Sequence, residues 1–278
     1  MLDTSAIVSS SLPRPASGPP LRLAALPGVY APTDDSWLLA AALAEEELRG
    51  ARVLDLCTGS GVLALTAALA GADVTAVDVS RRAALTARLN LRRHRVPGRV
   101  LRGDLLDAVT GAFDVIVSNP PYVPATRADV PRRGEARAWD AGTDGRVVID
   151  RICRAAPGRL RPGGVVLLVH SHVAGIERTV DLLRAGGLDA EVTVRRSLAF
   201  GPVMRERAAY LRSLGLVAPE DEHEELAVVR AVRPAGSAPA SRAGGGRVSS
   251  GSGVTAAGSG DAATEDGEIG MAGSVRTP

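Results

Sequence analysis

The sequence predicts an α/β fold, a doubly wound, mostly parallel seven-stranded sheet with an antiparallel strand pair at one end. Three observations predict it. Short apolar runs alternate with longer helical stretches from residue 52 to residue 195, as parallel strands and their crossover helices do. The first run leads straight into a glycine turn, Gly59-Ser60-Gly61, that opens a helix. Acids, Asp78 and Asp104, then stand at the ends of the second and third runs.

Residues 37–49 carry a helical pattern, with Asp34, Asp35 or Ser36 as candidate N-cap. Residues 52–56 read as the first strand and 62–70 as a helix. Residues 73–77 are the second strand and 81–93 the helix that returns from it. Residues 99–103 are the third strand, and 114–117, inside the apolar run 113–118, the fourth. A helix over 147–160 passes through Arg161-Pro162-Gly163-Gly164 into a strand at 165–169. A helix at 174–185, a strand at 189–195 and a last strand at 226–232 complete the set. No helix is predicted between the final two strands, only Gly201-Pro202 and a short Arg-rich segment, so these two are expected to pair antiparallel. The parallel crossovers are right-handed by the general rule.

The ends of the chain differ from its middle. Of 278 residues, 1–20 are Ser/Pro-rich and 234–278 are Gly/Ala/Ser-rich with almost no large apolar side chains. Such segments bury too little surface to offset chain entropy and are expected to be disordered. Residues 21–233 then form one domain of ordinary size. Net charge is +2, and all 33 basic residues are Arg, so the chain as a whole gives no strong nucleic-acid signal. The clusters at Arg92, Arg93 and Arg95, at Arg132 and Arg133, and at Arg195 and Arg196 read as solvated faces. Cys57 and Cys153 form no C-x-x-C pair, which points to a reduced, cytoplasmic protein. No apolar run reaches membrane-spanning length, and the N-terminus lacks a secretory pattern. The four histidines (His94, His170, His172, His223) have no metal-ligand spacing, so no metal is expected.

The run Val53-Leu54-Asp55-Leu56-Cys57-Thr58-Gly59-Ser60-Gly61 is strand, turn and helix start in one. A dinucleotide fingerprint would place glycines at 57, 59 and 62, where the chain has Cys57, Gly59 and Val62. Gly59 and Gly61 fit instead the turn that holds S-adenosyl-L-methionine, a ligand without pyrophosphate. Asp78 lies close to the spacing expected of a carboxylate on ribose hydroxyls, Asp104 can reach an adenine amino group, and Asp55 can neutralise a ligand ammonium. A sulfonium ligand favours such acids electrostatically.

Asn119-Pro120-Pro121-Tyr122 leaves the carboxyl end of the fourth strand, where open α/β sheets bind ligands. Two prolines stiffen the loop and remove its backbone donors. The Asn119 side chain and the Pro120 carbonyl are left as acceptors beside the Tyr122 ring, a pocket suited to a flat, NH2-bearing group.

With these residues in this order the chain resembles the class I, Rossmann-like methyltransferases. More narrowly it resembles the release-factor glutamine methyltransferases in a short form without an N-terminal helical domain. Residues 29–36 (VYAPTDDS) are similar to that family's V-Y-x-P-x-E-D-[ST] opening, 139–146 (WDAGTDGR) to its W-x-G-G-x-x-G-R segment and 224–229 (EELAVV) to its closing strand. The resemblance implies that Ser36, Asp55, Cys57, Asp78, Asp104, Leu105 and Asn119 contact cofactor or target. The chain departs from it at Cys57, where Gly is usual, and at Ala31 and Asp34, where Glu is usual.

The activity so implied is N-methylation of a glutamine side chain of a translation release factor, on its Gly-Gly-Gln loop, with S-adenosyl-L-methionine as donor. A small activating subunit, used by some relatives, is possible. Asn119 and the Pro120 carbonyl are expected to accept the two amide N–H groups, with Tyr122 against the planar group. The polar loop 124–140 is expected to close over a protein substrate. Two other functions fit the same residues: N-methylation of an exocyclic amino group of adenine or guanine in RNA or DNA, and a silent binding module. No basic, aromatic-interleaved stripe accompanies the pocket, so no stable nucleic-acid complex is expected.

Overall fold

The computed structural model describes residues 21–131 and 133–236. Contacts divide the chain into two units, Met1–Ala240 and Ser241–Pro278, and every described residue belongs to the first. The segment 1–20, Arg132 and the tail beyond residue 236 lie outside the described residues. No helix among the described residues is long and apolar enough to cross a membrane.

In chain order the elements are α1 (Asp34–Ala44), β1 (Arg52–Leu56), α2 (Val62–Leu69), β2 (Asp73–Asp78), α3 (Arg81–Arg93), β3 (Arg99–Arg102) and β4 (Phe113–Ser118), followed by α4 (Val147–Ala155), β5 (Leu160–Ser171), α5 (Ile176–Ala185), β6 (Asp189–Ala199), α6 (Pro202–Ser213) and β7 (His223–Val232). The seven strands form one sheet in the order β3-β2-β1-β4-β5-β7-β6. The first five are parallel to one another, and β7 runs antiparallel to both β5 and β6.

Strand alternation divides the core. Val53 on β1 joins Leu39, Leu43, Leu65 and Ala87 on the face covered by α1, α2 and α3. Its neighbours Leu54 and Leu56 join Ile149, Ile152, Val180 and Leu183 on the face covered by α4 and α5. The sheet is therefore buried on both sides, as a parallel sheet must be. Because β1 pairs with both β2 and β4, the strand order reverses there, and a crevice opens at the strand ends.

The expectation of a helix-free link between the last two strands is corrected by α6. Pro202 occupies its first turn, where a missing N–H costs nothing. Met204, Ala208 and Leu211 are its buried residues, spaced four and three apart on one face, and pack with Val173 and Phe200. Arg205 and Glu206 face outward. The helical stripe was hidden by Gly-Pro and by charge. A second correction concerns 156–164. Pro157 ends α4 early, in a 3-10 turn, and Arg161-Pro162-Gly163-Gly164 lies within β5. Pairing jumps from Phe113↔Leu160 to Val115↔Val165, so the proline sits in a bulge where no ladder bond is lost. The first helix begins at Asp34, earlier than expected, with Thr33 as its N-cap.

Gly61 caps α2 at φ 83°, and a Cβ there would lie 2.9 Å from Cα and Cβ of Ala87 on α3. A side chain would meet both a left-handed backbone and a packed helix. Gly61→Ala is expected to cost about 2 kcal/mol. The melting temperature should fall by roughly 4–8 °C, measured by calorimetry of the full chain.

Candidate functional site

A cleft of about 1400 Å³ lies at the carboxyl ends of β1 to β4. Its wall brings together Ser36, Cys57, Gly59, Asp78, Asp104, Leu105, Asn119, Pro120, Pro121 and Tyr122. Of the residues expected at a cofactor, Asp55 and Gly61 do not line it.

Asp55 is fully buried beneath the turn. Alternation along β1 points it away from Leu54 and Leu56. There its Oδ2 accepts from the Thr58 hydroxyl at 2.5 Å and from the Ala64 N–H at 3.0 Å. It ties the glycine turn to the first turn of α2, while its Oδ1 is buried without a partner among the described residues. Burial raises its pKa to about 7 against those two hydrogen bonds. In this structure it holds the turn and does not line the cleft.

Asp78 closes β2 with its carboxylate on the wall. Oδ2 accepts from the Gly59 N–H at 3.0 Å and Oδ1 from the Ser80 N–H at 2.8 Å. Each oxygen retains acceptor capacity, which suits the two hydroxyls of a ribose. Burial holds its pKa above the usual carboxylate value. Asp104 lies beyond β3, as the N-cap of a 3-10 turn. It forms a bidentate pair with Arg151 of α4 at 2.9 and 3.0 Å. Both side chains are about half exposed, and exposed pairs contribute only about 0–1 kcal/mol. An adenine amino group can replace one of these contacts at small cost.

Cys57 (φ 57°) and Leu105 (φ 48°) both adopt left-handed backbone, a conformation that costs a non-glycine residue of order 1–3 kcal/mol and concentrates at functional sites. This is why the resembled family has Gly where this chain has Cys57. Burial and the neighbouring Asp78 charge push the Cys57 thiol up.

At the other end of the cleft, α1 meets the loop after β4. Asn119 Nδ2 donates to Ser36 Oγ at 3.0 Å. Ser36 in turn donates to Asp35 Oδ1 through its N–H at 2.5 Å and its hydroxyl at 3.2 Å. Thr33 donates to the same oxygen at 2.6 Å, and Tyr122 donates its hydroxyl to Asp35 Oδ2 at 3.2 Å. One buried carboxylate thereby fixes both Asn119 and Tyr122. The Asn119 nitrogen is turned toward Ser36, which leaves Oδ1 as the acceptor for a ligand.

The loop is braced from behind by the segment 139–146. Val123 N–H bonds the Trp139 carbonyl at 2.8 Å, Ala141 N–H the Val123 carbonyl at 3.0 Å, and Ala125 N–H the Gly142 carbonyl at 2.9 Å. At Gly145 (φ 71°) a Cβ would stand 2.3 Å from the Tyr122 carbonyl oxygen, so only glycine allows this approach. Arg146, 2% exposed, anchors the segment to Asp150 and Thr179 and to the Ala174 and Gly175 carbonyls. Sequence reasoning gave Asp35 only a candidate capping role and assigned no site role to Arg151 or Glu224, all of which line the cleft. A signal for Asp35 was its place beside Ser36 in the 29–36 motif.

An adenosyl-sulfonium fits this donor set: a half-buried carboxylate with two spare acceptor sites, an exposed carboxylate beside it, and a glycine turn of close backbone. Residues 20–132 match the family model for the methyltransferase small domain. Over 185 residues the chain is 32% identical to a Methanocaldococcus jannaschii protein provisionally named a protein N5-glutamine methyltransferase, spanning 66% of this chain and 93% of that one. Over 184 residues it is 40% identical to the release factor glutamine methyltransferase of Bordetella pertussis, spanning 62% and 67%. It covers about half the length of other bacterial glutamine methyltransferases, 52% of one acting on release factors and 46% of one acting on ribosomal protein uL3. The fold is shared with the E. cuniculi Mtq2–Trm112 complex, which methylates the eRF1 termination factor (TM-score 0.52, 24% identity, 74% of this chain and 99% of that one).

Asp55 makes stability depend on pH. Its folded pKa, about 7, lies above its ordinary value of 3.8. The folded state therefore binds the proton more tightly, and its stability falls as pH rises from about 4 to about 7. Asp55→Asn keeps an acceptor for Thr58 and Ala64 and carries no charge. It is expected to leave stability at pH 4 nearly unchanged and raise it at pH 8 by roughly 2–4 kcal/mol, measured by denaturant titration at both pH values.

Proposed function

The chain belongs to the protein glutamine methyltransferase family, and from that premise we propose that it methylates the side-chain amide nitrogen of a glutamine in a translation release factor, using S-adenosyl-L-methionine. The observation that carries this reading is the Asn119–Ser36 hydrogen bond. It presents Asn119 Oδ1 to the cleft, beside a Pro120-Pro121 pair that offers carbonyls and no N–H. An amide nitrogen brings two N–H donors, and these are the acceptors it needs.

Asp78, Asp104, Leu105 and the turn around Gly59 would hold the cofactor, which supplies an electrophilic methyl group on a sulfonium. The remaining work belongs to the chain. Asn119 Oδ1 and the Pro120 carbonyl accept the two N–H groups of the target, fixing the plane of its nitrogen and drawing electron density onto it. Tyr122, anchored by Asp35, borders the same pocket. Positioning of this kind can account for as much as about 7–11 kcal/mol of barrier reduction. No strong base is required, because the surplus proton can leave the nitrogen after transfer. Cys57 stands close by on the same wall. Its raised pKa keeps it a neutral thiol, a poor nucleophile that does not compete for the methyl group. A release factor as substrate places the reaction in the cytoplasm. The Trm112 partner in the E. cuniculi complex makes an activating subunit a further component to test.

Transfer of labelled methyl from S-adenosyl-L-methionine to a purified bacterial release factor tests the proposal, with mass spectrometry to locate the label. Label on a glutamine side chain is the expected result, and label confined to nucleic acid in a whole lysate would contradict it. Asn119→Ala is expected to lower turnover at least a thousandfold, while cofactor affinity measured by calorimetry changes by less than about threefold.

A further inference from the structure

Because β7 runs opposite to its neighbours, its first residues arrive at the edge of the sheet where the parallel strands end. The pairing Ser171↔Leu226 puts Glu224 just past the end of β5, and Glu224 lines the cleft beside Leu198, Ala199, Met204 and Leu226. It is 8% exposed. The Ser171 side chain acts on this carboxylate and favours its ionised form, and Oε2 is buried without a hydrogen-bond partner among the described residues. A buried acceptor left unmatched is costly, and a ligand that brings a donor recovers that cost.

The position of Glu224 distinguishes the two ends of the cleft. The charges that act on it and on which it acts are those of Asp35, Tyr30 and Tyr122, the group around Asn119. Asp55, Asp78 and Asp104 act instead on Cys57, at the glycine turn. Glu224 therefore belongs to the acceptor end.

We propose that Glu224 is a specificity-determining residue, its free oxygen taking an N–H of the polypeptide that presents the target amide. This contact is distinct from the two made by Asn119 and Pro120, and the inference rests on the glutamine reading of the site. It gives the enzyme a means of rejecting acceptors that carry an amide without a neighbouring donor. A site built to satisfy a hydrogen bond discriminates strongly against a ligand that leaves it unmatched.

The ionised carboxylate is the form that accepts. Burial, opposed by the Ser171 hydrogen bond and reinforced by Asp35, raises the Glu224 pKa to about 7. The groups facing it are Asp35 from α1, Tyr30 from the segment before α1, Tyr122 from the loop after β4, Ser171 at the end of β5, and His172, whose Nδ1 accepts from the Glu225 N–H at 3.1 Å. On β6 its pairing partner is the apolar Leu198. Acceptor affinity should accordingly rise as pH increases through about 7.

The test uses the full chain, a purified bacterial release factor, and steady-state kinetics from pH 6 to pH 8.5. Glu224→Gln keeps an acceptor for Ser171 and turns a donor into the cleft. It is expected to raise KM for the release factor about tenfold and to flatten the rise of kcat/KM near pH 7. Its kcat and cofactor affinity should remain near those of the parent, while removal of the buried charge should raise its melting temperature above about pH 7. Glu224→Ala, which adds no polar group to the core, should show the same rise in KM. An unchanged KM and pH profile in both variants would overturn the proposal, as would a loss confined to kcat or to cofactor affinity. Failure of the parent protein itself to methylate any glutamine would instead overturn the glutamine reading.

Discussion

A single buried carboxylate, Asp35, controls the orientation of the groups that we propose face the methyl acceptor. It receives Thr33, both donors of Ser36, and the Tyr122 hydroxyl, and Ser36 passes the constraint on to Asn119. An asparagine amide can present either its oxygen or its nitrogen. With its nitrogen bonded to Ser36, the amide is held in one orientation and its oxygen is left as the acceptor. Preorganised acceptors of this kind do not have to reorient during reaction, which is where electrostatic catalysis gains most. The start of α1 is thus part of the chemistry, although it precedes the sheet in the chain.

The rest of the fold serves that arrangement from three sides. The glycine turn after β1 is held by Asp55 from beneath, so that Gly59 can donate to Asp78 across the turn. The Asn119 loop is backed by the segment 139–146, where Gly145 lets the chain approach the Tyr122 carbonyl and Arg146 fastens the segment to α4 and α5. From the antiparallel side, β7 delivers Glu224 to the same crevice. Of the side-chain polar atoms buried without a partner among the described residues, Glu224 Oε2 belongs to a residue that lines the cleft and Asp55 Oδ1 lies beneath the glycine turn.

Much of this was legible in the sequence, for physical reasons that particular residues illustrate. The central strands β1, β4 and β5 were legible as apolar runs because the middle of the sheet is buried on both faces, whereas β6 showed only a period-two alternation. Gly59, Asp78 and Asn119 were visible because they end successive strands, and topology brings strand ends together. The helix α6 was missed because Gly201-Pro202 and its arginines obscured the stripe Met204, Ala208 and Leu211. The structural role of Asp55 beneath the turn was not legible, because it depends on contacts with Thr58 and Ala64 that form only when the turn folds. Asp35 and Glu224 could not be assigned from spacing alone. Each acts through residues distant in the chain, Asp35 on Tyr122 and Glu224 near Ser171, and such contacts exist only once the sheet has assembled.

The central claim is that the Ser36 hydroxyl orients the Asn119 amide for catalysis. The most direct measurement is single-turnover methyl transfer by Ser36→Ala, alongside its cofactor affinity. Loss of this one hydrogen bond is expected to slow transfer by about ten- to a hundredfold with cofactor affinity essentially unchanged. Transfer at the parental rate would contradict the claim and show that the Asn119 amide needs no such anchor.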